Sequence, residues 1–191
     1  MFKIIAVTNR HLCPRPLTEQ IKLISSSALK PFAVILREKD LAPSAYEQLA
    51  LEVGSVCAEY NVIMILHSFW QAALNLKCKN IHLPLAVLRT DEFQQQKENF
   101  QFIGASVHSM TEAEEAVSLG ADYLTAGHVY ATCCKKGVPG RGGEWLREIC
   151  SQTAVPVFAI GGISLDGGQF KELQQCGAAG ACIMSGFMYD R

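Results

Sequence analysis

Short apolar runs rich in Val and Ile recur along this chain of 191 residues, and they alternate with longer amphipathic stretches. A repeat of about 20 to 25 residues is typical of strand–helix units. The runs are apolar almost throughout, as expected when helices cover both faces of a parallel sheet. The pattern predicts strands over 3–7, 32–36, 62–66, 80–83, 102–107, 122–126, 155–160 and 180–184. It predicts helices over 18–29, 44–60, 69–76, 111–119, 144–150 and 168–176, with a further short helix within 91–99.

Local signals at the ends of these elements agree with the repeat. Ser109 and Ser164 follow strands, where a side-chain cap begins a helix, and Gly120 and Gly177 end helices at the left-handed position. Eight strand–helix units predict one α/β domain over 1–191, a closed (β/α)8 TIM barrel. A doubly wound open sheet is the alternative, but the even spacing of the units favours closure.

The eighth unit is expected to lack most of its helix. Only 187–191 follow the eighth strand and its glycine turn, so the eighth helix should be missing or reduced to one turn. Apolar barrel surface would then be left uncovered, which a monomer tolerates poorly. We therefore expect a partner subunit or a repositioned tail to cover it, with a homo-oligomer as the simplest form.

Composition excludes several classes of protein. The chain has 17 Lys+Arg against 18 Asp+Glu, a net charge of −1, which is not the basic footprint of a nucleic-acid binder. No apolar run approaches the roughly 18 residues of a membrane span, and the first residues do not resemble a signal peptide, so we expect a cytoplasmic protein. The eight cysteines form no C-x-x-C pair, so most should be small buried residues and none is expected to bind metal.

In a barrel of this kind the active site lies where the strands end. The loops after the seventh and eighth strands contain Gly161 and Gly162, and Ser185 and Gly186. Glycine lets the backbone approach an anion so that N–H groups point at phosphate oxygens. Tight turns alone also explain glycine here, but two such loops at this position favour a phosphorylated ligand.

Two cations follow the second strand. Arg37 and Lys39 are separated by one residue, so in extended backbone they lean to the same side. They suit a second anionic group, either a phosphate or a carboxylate. An ordinary solvated charge cluster is the alternative.

The segment after the sixth strand is the most distinctive in the chain. His128 begins a loop over 127–143 that contains several glycines and basic residues, Lys136 among them, and that suggests a mobile lid able to fold over an anion. A plain surface loop is the alternative. An imidazole can both take and return a proton near neutral pH, so His128 is the candidate acid–base catalyst. Supporting candidates are His108 and His67; His11 is weaker, and His82, inside a strand, is expected to be a hydrogen-bonded core residue.

Several of these segments together resemble the thiamine phosphate synthase and TenI superfamily. The resemblance runs along essentially the whole chain and is carried by Thr8, 36–39, 106–109, 120–123, 159–163 and 184–186. It implies a (β/α)8 barrel that binds a thiazole phosphate.

Departures from the pattern separate the two branches of that superfamily. In the synthases, Mg²⁺ is held by aspartates after the third and fourth strands, but here 66–69 and 82–85 contain no carboxylate. Ile35 stands where the synthases carry a glutamine, and His128 where they usually carry proline. A reaction with a diphosphate leaving group would lack its main charge stabiliser without such ligands.

The loop from 127 to 142 is instead similar to that of the TenI-type thiazole tautomerases, in which the histidine after the sixth strand is the acid–base catalyst. That resemblance implies a proton shift that aromatises a carboxy-thiazole phosphate, with no metal and no cofactor. His128 would move the proton, Gly161, Gly162, Ser185 and Gly186 would hold the phosphate, and Arg37, Lys39 and Lys136 would serve the carboxylate or the lid. Cys133 and Cys134 are expected to line this loop. The alternatives are a thiamine phosphate synthase, a non-catalytic regulator that binds thiazole phosphate, and a barrel acting on another small phosphorylated metabolite.

Overall fold

Eight parallel strands close into a barrel in chain order, as the sequence predicts. The computed structural model describes residues 2–132 and 137–189. Each strand pairs with its sequence neighbours, and β1 pairs with β8 from Lys3 opposite Gly180 to Ala6 opposite Ile183. The strands are β1 (Lys3–Val7), β2 (Ala33–Leu36), β3 (Ile63–His67), β4 (Asn80–Pro84), β5 (Phe102–Val107), β6 (Tyr123–Gly127), β7 (Val157–Ile160) and β8 (Gly180–Ile183).

Helices connect the strands on the outside of the barrel. They are α1 (Leu17–Ser25), α2 (Pro43–Glu59), α3 (Trp70–Asn75), α4 (Leu85–Leu88), α5 (Asp91–Gln94), α6 (Met110–Ser118), α7 (Gly142–Gln152), α8 (Phe170–Gln175) and α9 (Ser185–Met188), with 3₁₀ turns at Arg10–Leu12 and Lys97–Asn99. The Ser109 side chain caps α6 by accepting a hydrogen bond from the Glu112 N–H, as predicted. None of the described helices is long and apolar enough to cross a membrane.

Two hydrophobic layers result from the alternation along the strands. One set of side chains packs outward against the helices. The other fills the barrel and consists of Ile5, Val7, Ala33, Ile35, Ile65, Tyr123, Phe158 and Cys182. The cysteines in the described part are free thiols, of which Cys57, Cys176 and Cys182 are buried.

Some element boundaries differ from the prediction for local reasons. The first helix ends at Ser25 rather than Leu29, and the hydroxyl of Ser26, the next residue, accompanies this end by donating to the carbonyls of Lys22 and Leu23. The polar stretch 91–99 contains a single helical turn and a 3₁₀ turn. Helix α4, which was not predicted, follows directly from Pro84 at the end of β4.

Within the described residues, β8 is followed by the single helical turn α9. A groove of about 310 Å³ lies beside it, bounded by α1 and α9. Leu23 and Tyr189 on its walls are 50% and 53% exposed, while the Gln20 amide bonds to the Phe187 carbonyl at 2.6 Å and ties α1 to α9. That a partner subunit or a tail covers this groove stays a prediction.

Candidate active site

A cavity of about 510 Å³ opens at the carboxyl ends of the strands. Its polar walls come from six of the eight strand ends, which is the usual place for an active site in this fold. The residues that line it include Arg37, Lys39, His67, Ser106, His108, Thr125, His128, Gly161, Gly162 and Ser185. Most of the predicted site is thus brought together in one chamber.

Arg37 and Lys39 both line the cavity because the residue between them turns the other way. Glu38 is 2% exposed and accepts hydrogen bonds from the Thr8 hydroxyl at 2.6 Å and from the N–H and Nη1 of Arg10. The Thr8 oxygen in turn accepts the N–H of Arg37 at 2.8 Å. This buried network fixes the strand end from which the two cations project.

A second carboxylate secures the same loop. The Asp40 carboxylate accepts hydrogen bonds from Nη1 and Nη2 of Arg10 at 2.7 and 2.5 Å. This pairing holds the pKa of the Asp40 carboxyl well below its usual range. Neither Arg37 nor Lys39 has a carboxylate partner within the described part of the chain. Partial burial, and then the charge of Arg37, lower the pKa of Lys39. Two cations that repel each other without a counter-ion favour an anionic ligand.

The glycine turn after β7 packs directly against His128. Gly161 and Gly162 have φ of +100° and +69°, and a Cβ on Gly161 would lie 2.4 Å from the Cβ of His128. In the described structure no hydrogen bond uses the N–H groups of these two glycines, so they are available to an anion. Ser185 lines the cavity as predicted, but Gly186 packs against Ile183 and Leu165 and faces the neighbouring groove.

His128 lies at the end of β6, 5% exposed. Its Nε2 is 3.0 Å from the Pro139 carbonyl and 3.3 Å from the Val138 carbonyl. Because a carbonyl oxygen only accepts, Nε2 carries a proton. Nδ1 is buried and has no hydrogen-bond partner within the described residues, and it is the nitrogen that would hold the lone pair in the neutral tautomer.

The loop that carries the two carbonyls is joined to β6 by its backbone. The N–H of Arg141 donates to the His128 carbonyl at 3.0 Å, and that of Gly142 to the Val129 carbonyl at 2.9 Å. Lys136, Cys133 and Cys134 lie outside the described residues.

The other predicted histidines take different positions. His67 is 4% exposed and forms part of the cavity floor, where its ring stacks on that of His82 with centroids 5.7 Å apart. Burial, with His82, Lys39 and Arg37 nearby, lowers the pKa of His67 to about 2. His82 is a core residue with both ring nitrogens hydrogen-bonded, as predicted. His108 is exposed at the cavity edge, and its N–H donates to the Glu112 carboxylate.

Sequence reasoning missed two hydroxyls in the wall. Ser106 and Thr125 are opposed in the β5–β6 register and both face the cavity. This placement could have been predicted, because side chains alternate between the two faces of a strand. Ser106 and Thr125 each lie two residues after an inward-facing position, which is Gly104 on β5 and Tyr123 on β6.

The walls do not offer the ligands that Mg²⁺ prefers, which are carboxylate oxygens. The ends of β3 and β4 present His67 and Ser68, and Pro84 and Leu85. Glu112 has the only carboxylate among the described lining residues, and no group of three His, Cys, Asp or Glu residues that could hold a metal occurs within 2–132 and 137–189. The residues present therefore do not fit a magnesium site.

The fold and the cavity together define a (β/α)8-barrel protein whose C-terminal face is lined by cations, glycine turns and a buried histidine. Within that class the chain belongs to the TMP-TENI family, described as "Thiamine monophosphate synthase", whose model matches residues 4–187.

Relatives with assigned names support the same family. The chain is 31% identical over 170 residues to a thiamine-phosphate synthase of Coprothermobacter proteolyticus, covering 89% of this chain and 79% of the relative. It is 28% identical to one of Fusobacterium nucleatum, covering 99% and 90%. Among solved structures, a thiamine phosphate pyrophosphorylase from Pyrococcus furiosus superposes with a TM-score of 0.78 at 27% identity, covering 96% of this chain and 86% of the other.

Proposed function

We propose that this protein is a thiazole tautomerase, an isomerase that aromatises a carboxy-thiazole phosphate by moving one proton. The observation that carries the proposal is the state of His128. Two backbone carbonyls hold its Nε2–H, and Nδ1 keeps a buried lone pair with no partner among the described residues. The ring forms part of the cavity wall, and an imidazole with one nitrogen anchored and the other unpaired is suited to take a proton and return it once a ligand contacts that nitrogen.

The reaction needs one base acting at two carbon atoms. The lone pair of His128 removes the ring proton, and the resulting imidazolium delivers a proton to the exocyclic carbon, which leaves an aromatic thiazole. The carbonyls of Val138 and Pro139 stabilise the imidazolium because they already accept its Nε2–H. A positioned base of this kind typically contributes about 10²–10⁴-fold.

The two anionic ends of the substrate match two parts of the wall. Gly161 and Gly162, whose N–H groups donate no hydrogen bond within the described residues, suit the phosphate together with Ser185, whereas Gly186 faces the neighbouring groove. Arg37 and Lys39 suit the carboxylate, and their charge offsets the negative charge that develops as the ring proton leaves. Lys136 is proposed to add charge from the loop, while His67 and His108 support the floor and the edge of the site.

A thiamine phosphate synthase is the second candidate, and the names of the relatives favour it over the first. Such an enzyme would join a pyrimidine diphosphate to a thiazole phosphate. The lack of a carboxylate at the ends of β3 and β4 speaks against it in this chain.

One pair of assays separates the candidates. The wild type, His128→Asn and the control His11→Asn, an exposed histidine off the cavity wall, are given the carboxy-thiazole tautomer, with the uncatalysed rate subtracted. We expect wild-type and control turnover to agree and His128→Asn to fall by about 100-fold or more. Equal rates for His128→Asn and wild type would remove His128 from the mechanism. Thiamine phosphate formed from pyrimidine diphosphate, thiazole phosphate and Mg²⁺ would establish the second candidate instead.

A further inference from the structure

One carboxylate outside the cavity contacts both ends of the loop that holds His128. Glu172 lies on α8, and its Oε2 accepts a hydrogen bond from the Tyr130 hydroxyl at 2.8 Å. Its other oxygen, Oε1, is 3.2 Å from the place of a Cβ at Gly143, in the first turn of α7. Tyr130 follows His128 by two residues, and Gly143 follows Pro139 by four. Glu172 therefore connects the start of the loop to its end from a neighbouring strand–helix unit.

The backbone of Tyr130 lies between two glycine segments. Its N–H donates to the Gly161 carbonyl at 3.1 Å, and a Cβ on Gly162 would lie 2.7 Å from the Cβ of Tyr130. On the side of the loop end, a Cβ on Gly140 would lie 2.8 Å from the Tyr130 Cα. With so little space around it, Tyr130 cannot shift without moving the residues that follow Pro139.

The carboxylate is also favourably placed at the start of α7. Arg141 occupies the N-cap position of that helix and gives it no side-chain hydrogen bond. Because the N-terminus of a helix carries a partial positive charge, a carboxylate beside its first turn is stabilised there. Burial, and then the hydrogen bond to Glu172, raise the pKa of Tyr130 above its usual range, so the phenol keeps its proton and donates it.

Both contacts of Glu172 act on the segment that holds the imidazole. The carbonyls of Val138 and Pro139 accept the Nε2–H of His128. In the described part of the chain, the N–H groups of Arg141 and Gly142 join this segment to β6 on its inner side. Glu172 closes it on the outer side, next to α8.

We propose that Glu172 is a positioning residue for the acid–base step. By bonding to Tyr130 and lying beside the first turn of α7, it keeps the two loop carbonyls on Nε2 of His128. Neither Glu172 nor Tyr130 lines the cavity, so both act through the loop and not on the ligand. The role rests on the proposed function, because it serves His128 as the base.

The position of the ring is measured without turnover by ¹H–¹⁵N correlation spectra of the full chain labelled on histidine, with His128→Asn used to assign the signals. We expect Glu172→Ala and Tyr130→Phe to speed exchange of the His128 Nε2 proton with water by about 10-fold, because the loop opens more often. Glu172→Gln should behave as wild type, since its amide oxygen accepts the same hydrogen bond. The control is Glu148→Ala, at an exposed position on α7. Unchanged exchange in Glu172→Ala and Tyr130→Phe would overturn the proposal.

Kinetics with the carboxy-thiazole tautomer then separate positioning from binding. We expect Glu172→Ala to lower kcat by about 10-fold and to leave KM nearly unchanged, because the cavity wall keeps its groups. The double variant with Tyr130→Phe should lose no more than Glu172→Ala alone, since one hydrogen bond links the two residues. Additive losses, or a raised KM with wild-type kcat, would refute the positioning role. A wild type that does not turn over the tautomer would contradict the proposed function, while the exchange of the Nε2 proton still decides whether Glu172 positions the ring.

Discussion

Lowering the pH from 7 to 5 should destabilise this barrel substantially, because two of its histidines are buried as neutral rings. Burial lowers the pKa of His67 to about 2 and that of His82 to about 3, from an ordinary value of 6.5. As the pH falls below 6.5, the unfolded chain takes up a proton on each imidazole while the folded chain does not. Stability is therefore complete above pH 6.5 and is lost progressively in the acid range below it.

The size of the effect follows from proton linkage. For one histidine with an unfolded pKa of about 6.5, the loss between pH 7 and pH 5 is about 1.9 kcal/mol, and for two it is about 4 kcal/mol. Any folded pKa below about 4 gives nearly the same result. The loss is a large part of the roughly 5–15 kcal/mol that stabilises a typical domain. The low pKa of Asp40 acts below this pH window, so this carboxylate does not account for the change.

Urea unfolding followed by circular dichroism at pH 7, 6 and 5 measures this loss. His67→Gln should reduce the pH dependence by about half, or about 2 kcal/mol over the interval. The matched control is His108→Gln at an exposed position, which should leave the dependence unchanged. A total loss below about 1 kcal/mol in wild type would mean that the folded barrel accommodates the charged rings, and the reasoning would be refuted.

Two further substitutions test how the strand ends hold the site. Thr8→Val removes a buried donor to Glu38 and should cost about 1–3 kcal/mol of unfolding free energy in the same urea assay; wild-type stability would contradict the role of that network. Gly161→Ala places a methyl group against His128 and should lower tautomerase turnover by about 10-fold or more. Gly142→Ala has a comparable positive φ with open space around it. Equal losses in the two glycine variants would show that backbone strain, and not displacement of His128, is responsible.

The barrel could be predicted from sequence because its signal is local and repeated. Strands such as Lys3–Val7 and Phe102–Val107 match their apolar runs residue for residue. Some boundaries moved by a few residues: α1 ends before Ser26, and α4 begins directly after Pro84, at a strand end where the sequence predicted a loop.

The site was predictable in position more than in contacts. His128, Arg37 and Lys39 could be placed on the rim, since a strand end has a fixed location in this fold. The sequence does not predict which ring nitrogen of His128 is hydrogen-bonded, because the partners of Nε2 are carbonyls ten and eleven residues later. The inward-facing Ser106 belongs to a segment that carries the family resemblance but was not singled out, because its place in the cavity wall follows from the β5–β6 register.

The contacts that hold the loop to His128 have a consequence for how this region can change in evolution. The ring is bound by the carbonyls of Val138 and Pro139, and the loop is joined to β6 through the N–H groups of Arg141 and Gly142. Every one of these loop groups belongs to the main chain. Side-chain identity at Val138 and Pro139 is free to change while the imidazole keeps its partners, whereas Gly140 is constrained because a Cβ there would lie 2.5 Å from the Val129 carbonyl oxygen. Inserting or deleting one residue between Pro139 and Arg141 would shift the carbonyls relative to the backbone contacts that hold the loop. Functional constraint on this part of the loop should therefore appear as a fixed spacing from Val138 to Gly142, which a residue-by-residue comparison does not detect.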